Sequence, residues 1–486
     1  MILLYHPRST RPRNRRFPLS ILALAAVLEE REDYVIVDGN VDLNATETVL
    51  NLCRQDVELL AVSVMPGPQT VAAVETCRQV RAKFPHIPIV WGGYFPSLYT
   101  AATLAADYVD FAVRGQGEDT LLELIDGVRS KRPLGSIRGL SLKDEWGKIR
   151  HNPERVMKSP NEFPWYPYHS LAAEKYIRPS YFGRRTAVHQ ASIGCPYRCT
   201  FCGVISAYGS LEKMESPART SAILRQLVKN HGIDSVQFYD NNFFLGEEHT
   251  REQMSRLTPL GLKWWCEARI DLMLRYSDAT FRAIRQAGCR MIFFGAESGS
   301  DWVLQEMKKQ LNTEQTLELA QRIRQFDIIP EFSFVIGNPR DPERDAAECF
   351  QFVRKLKRLN PDSEIILYPY IPVPQRDRMY GDVEDQMEFP STPDEWTTPR
   401  WQDFATRKTP QTPWFRGSIQ RRVDNFRLVV SSRWPTVQDS QLSAWGRASL
   451  KTLSAWRYRL GFYAFPLELK MAQRLTQLRR PEVESL

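Results

Sequence analysis

The sequence predicts an α/β protein in three parts: an N-terminal doubly wound parallel sheet, a partial (β/α)6 barrel and a mostly helical C-terminal region. Three observations carry that reading. Short apolar runs alternate with helical patterns over residues 1–130. The same alternation restarts at residue 186 and runs through six units to residue 372. From residue 373 to 486 the strand pattern stops, and aromatic and basic residues take over. A chain of 486 residues is too long for one ordinary domain, and with 43% hydrophobic and 25% charged residues it can bury a sizeable core.

In the first part the strand candidates are Ile2–Tyr5, Tyr34–Asp38, Leu59–Val64, Ile87–Trp91 and Phe111–Arg114, with helices such as Leu19–Glu30 and Thr70–Phe84 between them. Ligands of such sheets bind outside the carboxyl ends of the strands. Those ends read Ser63-Val64-Met65-Pro66-Gly67, Trp91-Gly92-Gly93-Tyr94-Phe95-Pro96 and Arg114-Gly115-Gln116-Gly117-Glu118. Glycine lets a backbone approach a ligand closely, and it equally serves a plain strand-to-helix turn. The segment resembles the B12-binding domain that precedes the catalytic domain in cobalamin-dependent radical SAM enzymes. The resemblance implies a Rossmann-like domain in which Ser63, Val64, Gly92, Gly93, Gly115 and Glu118 line a cobalamin site. The first loop, His6-Pro7-Arg8-Ser9-Thr10-Arg11-Pro12, departs from the family pattern. It lacks the Asp-x-His-x-x-Gly run whose histidine ligates cobalt in many such domains, and His6 is expected to be a loop histidine.

Residues 131–185 read as an irregular linker rich in proline and aromatics, wrapped across two domains because its aromatics need a surface to pack on. Barrel strands are then expected at Ala187–Ile193, Ser235–Tyr239, Lys263–Ile270, Met291–Gly295, Pro330–Ile336 and Glu364–Tyr370. Active-site residues of such barrels sit on the loops at the carboxyl ends of the strands. Three of the eight cysteines, Cys195, Cys199 and Cys202, fall just after the first of these strands in a Cys-x3-Cys-x2-Cys spacing. Three thiolates can hold three corners of a cubane iron–sulfur cluster and leave the fourth iron open. A zinc site is the rival, and it needs a fourth ligand from His189 or Cys266. Three unconnected core cysteines are the remaining alternative, although proline and glycine between them make poor core filling.

With Phe201 just before the third cysteine, the stretch is similar to the defining motif of the radical SAM superfamily. Later strand ends match that family as well: Tyr239-Asp240-Asn241-Asn242-Phe243, Glu267-Ala268-Arg269-Ile270-Asp271, Gly295-Ala296-Glu297-Ser298-Gly299 and Val335-Ile336-Gly337-Asn338-Pro339. The resemblance implies a [4Fe-4S] cluster on the three cysteines, with S-adenosylmethionine beside it. Phe201 would shield the cluster, Asp240 and Asn241 would accept from the amino group of S-adenosylmethionine, and Arg269 would pair its carboxylate. Glu297 or Ser298 would contact the ribose or carboxylate, and Gly337 forms the turn beside them. Singly, each has a bland reading too: Arg269 and Glu297 as a rim salt bridge, Asp240 as a helix cap.

The resemblance implies reductive cleavage of S-adenosylmethionine and, with cobalamin, C-methylation of an unactivated carbon; the aromatics of the C-terminal region suit a large or apolar biosynthetic substrate. An electron donor such as flavodoxin or ferredoxin goes with that chemistry. Two alternatives stand beside it: a cyclisation, rearrangement or oxidation without methyl transfer, and a non-catalytic iron–sulfur protein. No side chain is singled out as catalytic.

The net charge is +8, and residues 401–486 alone hold 15 Lys/Arg against 6 Asp/Glu. The excess therefore lies in the tail, which argues against a nucleic-acid partner for the whole protein. Leu19 to Leu28 is too short to span a bilayer, and the arginines follow the first apolar run where a signal peptide would place them before it. A cytoplasmic location is the expectation. Residues 373–400, with Pro374, Pro390 and Pro393, read as a loop-rich cover. Trp401, Trp414, Trp434, Trp445 and Trp456 follow, with helices expected at Gln441–Tyr458 and Leu467–Arg479. These aromatics suit a packed helical domain, a substrate lid or a peripheral contact with anionic lipid.

Overall fold

The computed structural model describes residues 1–11, 14–373, 381, 385, 387–408, 411–437 and 442–475. Pro12, Pro374, Gln441 and the end of the last expected helix, 476–479, lie outside the described residues.

Five parallel strands open the chain: β1 (Ile2–His6), β2 (Tyr34–Asp38), β3 (Leu59–Ser63), β4 (Ile89–Gly92) and β5 (Phe111–Val113). Alternation along β1 shows why the sheet needs helices on both faces. Ile2 and Leu4 join one apolar core with Ile21, Ala25 and Leu28 of the first helix. Leu3 and Tyr5 join the other, with Val49, Val74 and Val80. A strand buried on both sides belongs to a doubly wound sheet.

The linker holds more structure than its composition suggests. β6 (Leu140–Lys143) and β7 (Ile149–His151) extend the sheet antiparallel beyond β5, giving the order β2-β1-β3-β4-β5-β6-β7. Runs this short carry little alternation, so their proline-rich surroundings mask them. The signal that was present is the turn: Asp144 Oδ1 accepts from the backbone of Trp146 and Lys148, and Gly147 takes φ +78°. Farther on, Tyr168 and Tyr176 pack on Phe17 with ring centroids 5.0 and 5.3 Å away, as a linker wrapped across domains requires.

The expected first barrel strand is broken in two. β8 (Thr186–His189) stays in the barrel, while β9 (Ser192–Gly194) leaves it and pairs antiparallel with β10 (Glu212–Met214). Gly194 at φ +82° has no room for a side chain, because the Leu211 carbonyl crosses it. The other barrel strands are β11 (Ser235–Phe238), β12 (Lys263–Ala268), β13 (Cys289–Glu297), β14 (Ile329–Ile336) and β15 (Glu364–Pro369). Their order, β15-β14-β13-β12-β11-β8, is that of an open six-stranded parallel barrel. Side-chain caps fix the starts of the intervening helices: Ser216, Ser277, Asn312 and Asp341 each accept from a first-turn amide.

The C-terminal region is helical at Pro399–Ala405, Gly417–Arg433, Ala444–Leu460 and Leu467–Leu475. Its tryptophans separate into two groups. Trp401 and Trp414 are buried, and Trp434 packs against Tyr458 at 5.9 Å, whereas Trp445 and Trp456 stand in solvent. Among the described residues no helix is long and apolar enough to cross a membrane.

Candidate active site

The carboxyl ends of β3, β4 and β5 open into a cavity of about 150 Å³. Ser63, Gly92, Gly93, Gly115 and Glu118 line it. Val64, also expected there, lies beneath instead. Its N–H donates to the Gly92 carbonyl (2.8 Å) and its carbonyl accepts from Phe95 N–H (2.9 Å), so it pins the glycine turn from below. The turn admits no side chain: Gly93 sits at φ +97°, where a Cβ would lie 3.1 Å from the Val64 carbonyl and 3.3 Å from Ser63 Oγ. Leu24, Ala61, Val90, Val113 and Leu121 make the deeper walls apolar. Glu118 is buried at the start of the Glu118–Ser130 helix, and burial pushes its pKa up to about 7.

Several wall residues belonged to no motif. The Ser20 hydroxyl lies 2.8 Å from that of Ser63, Tyr166 comes from the linker, and Gln190, Ile193 and Tyr208 come from the barrel side. His6 is outside the cavity, with Nδ1 3.0 Å from Asp38 and Nε2 2.8 Å from the Gln69 amide. It is the buried last residue of β1 and not the loop histidine the sequence suggested, because its pairing with β2 extends one residue past Tyr5.

Cys195, Cys199 and Cys202 occupy the loop between β9 and the Gly203–Tyr208 helix. Thr200 ties that loop to the barrel, its N–H donating to the Met307 carbonyl (3.2 Å) and its hydroxyl to the Glu306 carbonyl (3.0 Å). The zinc alternative fails on position. His189 Nε2 is engaged by Glu215 at 2.9 Å, and Cys266 is fully buried in the apolar core. Among the described residues no three His, Cys, Asp or Glu side chains converge on a single ion. Nor are the cysteines core filling, because Cys195 and Cys202 remain partly open. Burial first, with a smaller push from its two neighbouring cysteines, takes the Cys202 thiol up to about 11. Burial, with a smaller push from Cys199, also raises Cys195, and a cationic iron core is what relieves such mutual repulsion of thiolates.

Paired charges fill the rim around the loop. Arg269 Nη1 lies 3.6 Å from Cys199 Sγ, Nε donates to Asp271 (2.9 Å) and Nη2 to the Lys309 carbonyl (2.7 Å). Its guanidinium also stacks 3.5 Å above Tyr197. The arginine expected to meet a ligand carboxylate is thus engaged inside the protein. Glu297 takes φ +63° and pairs with Lys309 Nζ at 2.7 Å, both side chains being buried. A side chain at Gly295 would fall on that pair, which explains the glycine two residues before the glutamate. Lys309 Nζ in turn lies 5.9 Å from the Phe201 ring centroid. In the sequence Lys308-Lys309 looks like surface charge, and only the fold buries the second lysine.

The remaining rim residues also meet protein partners. Ser298 Oγ accepts from Ser300 N–H (3.1 Å). The N–H groups of Gly337 and Asn338 donate to Asp345 (2.7 and 3.0 Å), and Phe415 lies over Gly337. Asp240 and Asn241 part company. Asp240 is fully buried near the Ser192 hydroxyl and the Ala191 backbone, and burial pushes its pKa up to about 6. Asn241 is exposed and donates to the Gly194 carbonyl at 3.3 Å, so of the two only Asn241 faces open space beside the cysteine loop.

Phe238, Trp264 and Cys266 belong to the core under the helices, so the alternate residues face into the barrel. Tyr239, Trp265 and Phe293 form an edge-to-face chain there, 6.1 and 6.2 Å between centroids. Trp265 Nε1 donates to Glu331 at 3.0 Å. Burial, then Glu331, pushes the neighbouring Glu267 up to about 8.

One helix serves both sites. A Cβ on Gly203 would fall on the Tyr94 hydroxyl, and a Cβ on Gly115 would lie 3.3 Å from the Ala207 carbonyl. The Gly203–Tyr208 helix therefore starts beside Cys202, packs on the glycine turns of the first sheet and ends in the cavity wall at Tyr208.

Comparison with known proteins agrees with this geometry. Residues 11–125 match the B12 binding domain, and residues 190–353 match the radical SAM superfamily. An uncharacterized methyltransferase of Pyrococcus horikoshii is 27% identical over 70% of this chain and 73% of its own length. An anaerobic magnesium-protoporphyrin IX monomethyl ester cyclase of Synechocystis is 24% identical over 74% and 71%. Among solved structures, the radical S-adenosylmethionine methyltransferase TsrM from Kitasatospora setae, with cobalamin and a [4Fe-4S] cluster bound, covers 98% of both chains at a TM-score of 0.67 and 16% identity, a likeness of fold. The chain belongs to the radical SAM superfamily, as an enzyme with a B12-binding domain whose cofactors are a [4Fe-4S] cluster, S-adenosylmethionine and cobalamin.

Proposed function

We propose that this enzyme transfers a methyl group to carbon in a small-molecule substrate held between its two α/β domains. The shared Gly203–Tyr208 helix carries the reading, because it joins the cysteine loop to the cavity wall. Cys195, Cys199 and Cys202 hold the cluster, and the cavity at Ser63, Gly92, Gly93, Gly115 and Glu118 takes cobalamin, with His6 occupied elsewhere. When bound, the cluster supplies reductive cleavage of S-adenosylmethionine, and cobalamin carries the methyl group.

The chain's own groups position and shield. Arg269 donates toward Cys199 and offsets thiolate charge, so its role moves from the carboxylate of S-adenosylmethionine to the cluster. Asn241, in place of Asp240, meets the amino group of S-adenosylmethionine. Glu297, locked by Lys309, and Ser298 support that ligand together with Phe201. Phe415 over Gly337 keeps water from the rim. Tyr239, Trp265 and Phe293 offer the substrate a flat apolar wall, and Glu267, protonated to about pH 8, offers it a hydrogen-bond donor. A flavodoxin or ferredoxin supplies the electron.

Protein reconstituted anaerobically with iron and sulfide, loaded with cobalamin and given a reductant, is expected to form 5′-deoxyadenosine. With methyl-labelled S-adenosylmethionine it is expected to pass label into a small molecule of a cell extract. The likeness to the Synechocystis cyclase favours a second reading, cyclisation without methyl transfer. An unlabelled product formed alongside 5′-deoxyadenosine would select it.

A further inference from the structure

The apolar side chains that the core does not take are concentrated in one place. Of 17 large apolar side chains exposed among the described residues, eight lie between residues 445 and 471: Trp445, Leu453, Trp456, Leu460, Phe462, Phe465, Leu467 and Met471. On the Ala444–Leu460 helix, Trp445, Leu453, Trp456 and Leu460 recur at helical spacing and form one stripe. The opposite face is the one that packs: Leu450, Ser454 and Tyr458 are buried there. Among the described residues this stripe is a second apolar face that stays exposed, with Trp445 85% and Leu460 73% open.

The patch is held in shape. Trp456 stacks on Phe462 at 5.9 Å, and Arg457 lies over both rings at 4.6 and 5.3 Å. Arg457 also binds Glu468 and donates to the carbonyls of Ala464 (2.7 Å) and Phe465 (2.9 Å). The turn that carries Phe462 and Phe465 is therefore braced outward.

Charge decides what the patch fits. Residues 442–475 contain Arg447, Lys451, Arg457, Arg459, Lys470 and Arg474 against a single acid, Glu468, which is paired. A two-fold contact between copies would set this positive rim against itself. Tryptophan, phenylalanine and leucine on one face, flanked by lysine and arginine, match the boundary of an anionic bilayer, where rings sit at headgroup level and cations meet lipid phosphates. We infer that the Ala444–Leu475 segment is a peripheral docking surface for an anionic membrane. The inference stands apart from the methyl-transfer reading and brings the barrel close to apolar substrates.

Co-sedimentation of the full chain with vesicles tests it. Binding is expected to vesicles of phosphatidylcholine with phosphatidylglycerol, to be at least about 10-fold weaker on phosphatidylcholine alone, and to fall with added salt. Trp445→Ser with Phe465→Ser is expected to abolish binding and leave 5′-deoxyadenosine formation unchanged. Lys451→Glu with Lys470→Glu is expected to remove the preference for anionic lipid. Quenching of tryptophan emission by brominated lipid reads the contact in the unaltered protein, independently of how the variants fold. Absence of binding and quenching on both vesicle types overturns the inference. So does equal binding to both, or a concentration-dependent dimer or an acidic protein complex that Trp445→Ser dissolves.

Discussion

Two sheets, each with a parallel core, meet at the Gly203–Tyr208 helix, and their carboxyl ends are built on opposite principles. The first sheet removes side chains: Gly92, Gly93 and Gly115 open a cavity whose inner walls are mostly apolar and whose one carboxyl, Glu118, is buried. The barrel adds side chains and neutralises them in pairs, Arg269 with Asp271 and Lys309 with Glu297. The difference teaches what each end is for. A large cofactor needs volume and a dry wall. A small charged cluster with a zwitterionic ligand needs counter-charges already fixed in place.

The largest break in that comparison is Cys199→Ala. It should remove cluster absorption and lower 5′-deoxyadenosine formation by at least about 10³-fold, because the three thiolates act as one unit. Cobalamin binding, measured by its visible spectrum on the same protein, should persist, since the two ends are built separately.

Next is Lys309→Met, which strands a buried carboxylate at Glu297. Urea unfolding should show a loss of about 3–5 kcal/mol, and Glu297→Met in the same chain should restore most of it. A small loss in the single variant would mean that the rim is not organised by paired charge.

Gly203→Ala tests the joint between the two ends. Its methyl would collide with the Tyr94 hydroxyl and push the glycine turn off the helix. Labelled-methyl transfer should fall about 10²-fold, the penalty of an ångström-scale misplacement, while 5′-deoxyadenosine still forms.

Glu118→Gln gives the smallest effect and a pH signature. Folding raises the Glu118 pKa from 4.5 to about 7, so the folded state keeps a proton that the unfolded chain has released. Stability of the unaltered protein then falls as pH rises through that window and levels off above it. Between about pH 5 and 7.5 the protein should lose about 2 kcal/mol relative to Glu118→Gln, read from urea midpoints at each pH.

Most strands and helices were legible because each is a run of local periodicity. The β1–β5 strands and five of the six barrel strands needed only apolar runs and their punctuation. The β6–β7 hairpin was missed because its runs are three or four residues long, and the break after His189 because both halves are apolar. Site residues followed a similar rule. Gly93 is required by a positive φ in a strand-to-helix turn and Gly203 by a close approach across domains, and only the first could be read from sequence.

The sequence by itself determined the cysteine spacing, the glycine-rich strand ends and the order of the two α/β units, because ligand spacing and strand–helix alternation are properties of neighbouring residues. Tertiary structure alone decided that Val64 supports the cavity while Tyr208 lines it. It also turned Asp240 inward and Asn241 outward, buried Lys309 beside Phe201, and left Trp445 and Trp456 in solvent while Trp401 and Trp414 were covered. The reason is the same in each case. Which way a side chain faces at a strand end or on a helix is set by what packs against it, and those neighbours are distant in the chain.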